Sequence, residues 1–380
     1  MSEITPFGWR AAKLALCTVG GGVALTFAMA GTASADDITV QDAPVVNAGV
    51  GVANSGGNTA TGNTSQNVAG CGQAAVGVVA NNSCTASNES NGTAEVQTGD
   101  ATGVGNQSAT EVQQAVSGGG DPGLDVTVQD SDVTNAGLGV GNSGGNAALG
   151  NGSQNLAGCG QLAVGLVASN SCDASNSSDG SASIETGDAT GIGNQSATKV
   201  QQTADHGDGS PGPDVVWQDA DVTNVGIGLA NSGGNAAAGN LSSNLAVNLQ
   251  GAFGVFASNT GSAKNTSNGS SSIKTGNATG IGNSSVTEIE QGAAPDGNGP
   301  AFVFQSAPVV NAGIGIANSG LNADLGNGSL NAAIVAQVSF GLLASNVSDV
   351  DNWSDGFTMV VTGDATGIGN QSATTVKQYA

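Results

Sequence analysis

Apolar and polar residues alternate with a period of two along this chain, and the alternation is written four times. Each unit opens on a short alternating stretch: Ile38-Thr39-Val40-Gln41, Val126-Thr127-Val128-Gln129, Val215-Val216-Trp217-Gln218 and Phe302-Val303-Phe304-Gln305. A stretch follows in which apolar residues alternate with glycine: Val50 and Val52, Leu138 and Val140, Ile227 and Leu229, Ile314 and Ile316. Period two puts the apolar residues on one face of a strand and nearly bare backbone on the other. A bare face admits close approach of another strand layer, although glycine in a strand costs entropy. A more apolar third stretch runs over 74–80, 162–168, 252–257 and 339–344, with an internal glycine at 77, 165, 254 and 341. The fourth is Gly105-Asn106-Gln107-Ser108-Ala109-Thr110 and its copies. Ser-Gly-Gly-Asn and Thr-Gly-Asp or Thr-Gly-Asn clusters between them read as turns, since Gly and Asn tolerate positive φ. After the first 35 residues no apolar period of helical length is present. The pattern predicts short strands of about twenty residues per turn of chain, about four turns to each repeat.

The sentence beginning at Asn47 recurs at Asn135, Asn224 and Asn311, and the phrase beginning at Thr98 recurs at Thr186, Thr275 and Thr362. Start and end keep step, which marks a structural module and not compositional bias. The domain reading is a signal peptide over 1–35, then repeats over 36–120, 121–209, 210–298 and 299–380. Gly/Pro-rich breaks over 117–123, 205–213 and 294–300 separate the modules as linkers or protruding loops. The fold expected is all-β, a tandem-repeat β-solenoid-like array. Four small β-sandwich beads are the alternative, and a chain that orders only on assembly is a third.

Composition narrows the function. Arg10 and Lys13, the apolar run from Leu14 to Ala30 and Ala33-Ser34-Ala35 have the form of a secretory signal with a cleavage site. Cys17 only faintly resembles a lipoprotein site. No other stretch is long and apolar enough to span a bilayer as a helix. The full chain has a formal net charge of −23. Removal of the signal leaves Lys199, Lys264, Lys274 and Lys377 against 28 acids, 4 − 28 = −24. Without basic side chains to replace phosphate counterions, nucleic acid is excluded as a partner, and an anionic membrane is disfavoured. Aromatic residues are 3% of the chain and there are 63 glycines. Large side chains therefore do not fill a broad core; a narrow stack needs only Ala, Val, Ile and stacked Asn.

Four cysteines follow the signal. Cys71 and Cys84 in repeat 1 align with Cys159 and Cys172 in repeat 2, whereas repeats 3 and 4 carry Asn248 and Gly261, and Val335 and Ser348. Both members come and go together, as bonded partners do, and export permits disulfides. The expected pairs are Cys71–Cys84 and Cys159–Cys172; a buried thiol pair or a zinc site shared by two repeats are the weaker readings.

Catalytic and cofactor chemistry is sparse, so the expectation is no enzyme, no cofactor and no metal. His206 is the single histidine, and in its Asp/Gly/Pro linker it reads as an exposed residue, not a member of a Ser-His-Asp triad. Asp100, Asp188 and Asp364, with Asn277 in repeat 3, read as turn residues ahead of calcium ligands. Asp130 with Asp132 and Asp219 with Asp221 lie on strand-like stretches whose oxygens could bind calcium only weakly and lack the spacing of an EF-hand loop, so no metal site is expected there. Gly103-Val104-Gly105 has no strand–helix unit after it and makes no phosphate site. Asn-x-Ser/Thr triplets at Asn63 and Asn106 read as amide ladders before glycan acceptors. Trp217 and Trp353 read as packing residues before sugar platforms.

Gly191-Ile192-Gly193-Asn194-Gln195-Ser196 with Gln201 and Gln202 resembles the curlin-type repeats of secreted bacterial amyloid fibres, whose repeats are β-solenoid rungs. Cys159-Gly160-Gln161-Leu162-Ala163-Val164-Gly165-Leu166 up to Cys172 is similar to the cysteine loop of chaplins, surface-active proteins of filamentous actinobacteria. Together these resemblances imply an exported, self-associating protein of the cell surface or matrix, and the Ala/Gly-rich body suits an actinobacterium. The expected role is structural or adhesive, with self-association through strand stacking and contact with a cell wall or glycan; an extracellular binding module for glycan or ice is the alternative.

Overall fold

The computed structural model describes residues 38–117, 124–206, 213–294 and 300–380. The expected signal over 1–35 and the central parts of the three linkers lie outside the described residues. All helices and strands among the described residues are strands.

Every ladder is parallel and joins one repeat to the next. Ile38 pairs with Val126 and Ser117 with Asp205. Asp125 pairs with Asp214 and Ala294 with Asp205. Ala301 pairs with Asp214 and Gly292 with Tyr379. Each repeat is therefore one layer, and the four layers stack in sequence order. The repeats are not separate beads, and the rhythm of about twenty residues per turn is overturned. The reason lies in the side chains. Only the whole-repeat offset sets like on like, such as Asn47 on Asn135, Gln73 on Gln161 and Ala69 on Ala157. A twenty-residue rung would bury amides against unlike neighbours without partners.

Within a layer the chain runs out and comes back. In layer 1 the outgoing arm covers 38–77 and the return arm 78–117. Contacts across the arms fix this path: Gln114 donates to the Gln41 carbonyl at 3.0 Å, Asn47 to Thr110 Oγ1 at 2.9 Å and Asn63 to Ser90 Oγ at 2.8 Å. The reversal falls at the glycine of the third stretch, where the strands of layers 3 and 4 break between Phe253 and Phe256 and between Phe340 and Leu343. Glycine is required there because a Cβ on Gly165, Gly254 or Gly341 would run into the glycine carbonyl of the layer beneath. The molecule is thus two facing sheets joined along one edge, the tip, with the linkers leaving from the opposite, open end.

The core is the thin space between the arms. It holds small aliphatic columns such as Val45, Val133 and Val222 against Val112, Val200 and Ile289. Further columns are Ala148 and Ala237 against Ile184 and Ile273, and Ala157 and Ala246 against Ala174 and Ala263. Polar side chains share this space, and Gln129, Gln202, Gln218 and Gln291 are among the largest fully buried residues. Where glycine alternates with Val, Leu or Ile, the glycine face points inward. A Cβ on Gly49 would strike the Gly105 carbonyl, and one on Gly139 the Ile192 carbonyl. The arms meet there backbone to backbone, and the aliphatic residues face out.

Two local devices keep this geometry. Gly150 and Asn151 are both buried although adjacent, as are Gly193 and Asn194. The Gly-Asn dipeptide therefore switches which parity of residues faces inward. The Ser-Gly-Gly-Asn and Thr-Gly-Asp segments interrupt the two arms opposite one another and do not reverse the chain. Ser55, Ser143, Ser232 and Ser319 each donate across to the carbonyl of Gly99, Gly187, Gly276 or Gly363. Gly57, Gly145 and Gly234 take φ of 79°, 77° and 76°, while in layer 4 the same place is held by Leu321 at 59°.

Candidate assembly surfaces

Eight asparagine columns run unbroken through the four layers. Seven share one polarity, each Nδ2 donating to Oδ1 of the next layer toward layer 4. These begin at Asn47, Asn58, Asn63, Asn67, Asn82, Asn88 and Asn106. The Asn54 column donates the other way, toward layer 1. So do three glutamine columns, which begin at Gln41, Gln73 and Gln114. Because each column keeps its direction, the two outermost layers differ in hydrogen-bonding sense. Layer 4 ends the seven columns with amide N–H groups, and layer 1 ends them with carbonyl oxygens. No described residue lies over either end layer, so both are open strand edges. A layer 4 surface complements a layer 1 surface and mismatches another layer 4.

Charge follows the same order. Glu111, Lys199 and Glu288 occupy one outward column. Lys199 Nζ lies 3.8 Å from Glu111, and Lys377 Nζ lies 3.7 Å from Glu288 across the diagonal. Lys264 and Lys274 likewise pair with Asp349 and Glu185. The alternation Glu, Lys, Glu, Lys ends on a cation at layer 4 and an anion at layer 1. The register partner of Glu288 in layer 4 is Thr375, and Lys377, two residues on, supplies the last cation from the neighbouring column.

The two outer faces differ in kind. Outward positions of the outgoing arm between Val46 and Val76 are Val, Ala, Thr, Gly, Asn and one Gln in layer 1. Their register partners in the other layers add Leu, Ile, Phe and Ser. No outward side chain of this stretch is charged. Asp324, the acid within it, aligns with buried Ala237 and accepts the Met359 N–H at 3.1 Å. Outward positions of the return arm carry instead Glu89, Glu95, Asp173, Asp179, Glu185, Lys264, Asp349, Asp351 and many Ser and Thr. A shallow groove of about 350 Å³ crosses this polar face along the stack, floored by Gly92, Gly180, Gly269 and Gly356 and flanked by Asn91, Asp179, Asn268 and Asp355.

The residues singled out from sequence fall as follows. Cys71 and Cys84, and Cys159 and Cys172, sit at disulfide distance across the two arms near the tip, with Cα separations of 6.3 and 6.2 Å. In layer 3, Asn248 fills the equivalent space and donates to the Cys172 carbonyl at 2.8 Å. The exposed-linker reading of His206 is overturned: it is 3% exposed, with Nε2 2.9 Å from Thr127 Oγ1 and Nδ1 3.4 Å from Asp214. Thr127 and Asp214 are each 2% exposed, so this trio is sealed from solvent and ties the end of layer 2 to the start of layer 3. Asp130, Asp132, Asp219 and Asp221 gather with Asp42 on the outgoing arm near the open end. Burial, then the neighbouring carboxylates of Asp132, Asp219, Asp42 and Asp221, hold the Asp130 carboxyl above its ordinary value. Among the described residues no group of three or more His, Cys, Asp or Glu is arranged to hold a metal ion. Asp100, Asp188 and Asn277 each accept the backbone N–H of the turn in the next layer, which is a structural role. Asn106 is buried in its column and Asn63 is half-buried in its own. Trp217 and Trp353 are surface residues, 50% and 61% exposed. Trp217 packs on Phe304 of the next layer with ring centroids 5.5 Å apart.

Comparison with family models, with curated proteins and with solved structures gives no match. Among the described residues no helix is long and apolar enough to cross a membrane.

Proposed function

We propose that this chain is a non-enzymatic structural protein of the cell exterior that polymerises end to end, layer 4 of one copy on layer 1 of the next. The observation that carries the reading is the shared polarity of seven asparagine columns, which leaves donors on one end layer and acceptors on the other. Contact between two different surfaces on opposite ends of a straight stack repeats along the stacking direction and grows as an open filament, not a closed ring. The side-chain columns and parallel backbone would continue through the joint, as in cross-β stacking. Lys377 would meet Glu111 of the next copy on the diagonal it already makes with Glu288. The strong acidity opposes growth at low salt, and ionic strength releases it, because the Debye length falls from about 30 Å at 0.01 M to about 8 Å at 0.15 M. Export agrees with the cysteine pairs and with the acid-rich composition. The structural role accords with the buried state of Thr127, His206 and Asp214, which offers no substrate access.

An isosteric pair of substitutions tests it. Asn331 and Asn352 accept from Asn244 and Asn265 through Oδ1; Asn331 Nδ2 donates one N–H to the Trp353 carbonyl at 3.1 Å, which leaves its second N–H for the open side. Asn331→Asp with Asn352→Asp keeps the acceptors used within the chain, gives up the one bond from Asn331 to the Trp353 carbonyl at the layer surface, and turns the outward donors into carboxylates facing the next copy's acceptors; Asn352→Asp alone carries the same comparison without that loss. At neutral pH the variant is expected to fold like the parent yet form no fibres by electron microscopy and thioflavin fluorescence; acidification, which restores a donor, is expected to restore them. Fibres from the variant at neutral pH at the parental rate would sink end-to-end stacking. A second reading, contact with a glycan, draws on the hydroxyl- and amide-lined groove of the return face, and a glycan array with purified protein is its test.

A further inference from the structure

The segregation of the two outer faces has a consequence that end-to-end stacking does not use. The outgoing face is an uncharged strand surface, interrupted once at Ser55-Gly56-Gly57-Asn58, and much of its aliphatic content is bare. Val50, Val68 and Val76 are 71%, 75% and 82% exposed in layer 1, and Ile227, Leu249 and Phe253 remain 38%, 50% and 40% exposed in layer 3. Counting only the strand residues, Val46 to Asn54 and Thr59 to Val76, a rise of about 3.3 Å per residue and four layers at about 4.8 Å give a strip near 90 by 19 Å, about 1,700 Å². A stable interface needs about 800 Å² from each partner, and apolar patches of this size are uncommon on monomers. Small residues at Gly70, Gly158, Gly72 and Gly160 alternate with Val68 and Leu156, so the surface has ridges and grooves that a like surface can fill.

We infer that the outgoing face pairs with the outgoing face of a second copy, giving a two-fold dimer of four sheets with an uncharged middle. Charge selects this occupant. The acidic columns of the return arm point away from the joint. With sheets about 10 Å apart, the two return faces of a dimer stand about 30 Å from each other, several Debye lengths at about 0.15 M salt. The carboxylates of Asp42, Asp130, Asp132, Asp219 and Asp221 lie at the open end, outside the uncharged strip. Running the two copies antiparallel lets these acids overhang as a solvated rim. The pair is independent of the filament: a two-fold joint stops at two copies, whereas end stacking gives an open series.

Sedimentation velocity of residues 36–380 carrying Asn331→Asp and Asn352→Asp, at about 10 µM and about 0.15 M salt, is expected to show twice the monomer mass. Adding Leu138→Asp and Ile227→Asp places carboxylates in the strip and is expected to give monomer, weakening association about a hundredfold or more. Adding Ser181→Asp and Ser270→Asp, the same charge on the return face, is expected to leave the dimer. Should the strip variant lose the parental circular dichroism, Val50→Lys with Val68→Lys in layer 1 carries the same comparison. A parent that sediments as monomer overturns the proposal, as does a dimer that survives the strip substitutions. A monomer that binds phosphatidylcholine vesicles also overturns it and gives the face to a lipid surface. If the stack-blocked parent pairs while the unblocked chain makes no fibres, pairing stands and end stacking falls.

Discussion

At the scale of single residues, two positions sit against local preference and should repay correction. Leu321 takes φ 59° where the other layers use glycine, and its side chain is 85% exposed. The left-handed conformation costs a non-glycine residue about 1–2 kcal/mol, partly offset by the entropy glycine loses on folding. Leu321→Gly is therefore expected to stabilise by about 0.5–1 kcal/mol in urea denaturation, and Gly145→Leu, which meets no neighbour, to destabilise by a similar amount. Asp130 is the second case. Its folded pKa is raised by burial and by four carboxylates, so the folded chain holds that proton more tightly than the unfolded chain. Stability then falls as pH rises from the ordinary value of 3.8 through the raised one, and the penalty persists at neutral pH. Asp130→Asn should add under about 1 kcal/mol of stability at pH 7, read as a higher Tm, since the site is largely solvated, and confer nothing below about pH 3.5; a gain that persists in acid would show another cause.

At the scale of elements, the third layer invites a disulfide. Asn248 and Gly261 lie in register with Cys159 and Cys172. A Cβ on Gly261 would meet the Asn248 amide nitrogen, so Gly261→Cys alone should destabilise. Asn248→Cys with Gly261→Cys together should form a third bond and add about 3 kcal/mol. Mass spectrometry without reductant and the loss of Tm on adding dithiothreitol check both statements. What was legible here follows from what the sequence repeats. Paired appearance of cysteines pointed to the pairs, alternation with glycine pointed to a bare face, and Asn-x-Ser/Thr in repeated places pointed to amide columns. The twenty-residue rung failed because glycine clusters such as Ser55-Gly56-Gly57-Asn58 resemble hairpin turns, whereas facing clusters in both arms let the chain run on. His206 misled because its own neighbours are polar and glycine-rich; Thr127 and Asp214, which bury it, come from elsewhere in the stack.

At the scale of the whole molecule, the two faces and two ends divide the work of the surface: the ends carry direction, the outgoing face carries area, and the return face carries charge. None of this could be read before the stacking offset was known, because a residue's neighbours above and below lie 87 to 89 positions away along the chain. That offset is constant within each pair of layers, from Ile38 with Val126 to Ser117 with Asp205, and from Asp125 with Asp214 to Asp205 with Ala294. Length differences between copies are thus absorbed where one layer hands over to the next. Inside a layer, one added codon would turn every later side chain inside out and misalign all the columns beyond it. The gene should therefore tolerate insertion and deletion at three junctions and almost nowhere between them, and it can lengthen by whole copies without redesigning any that are already there.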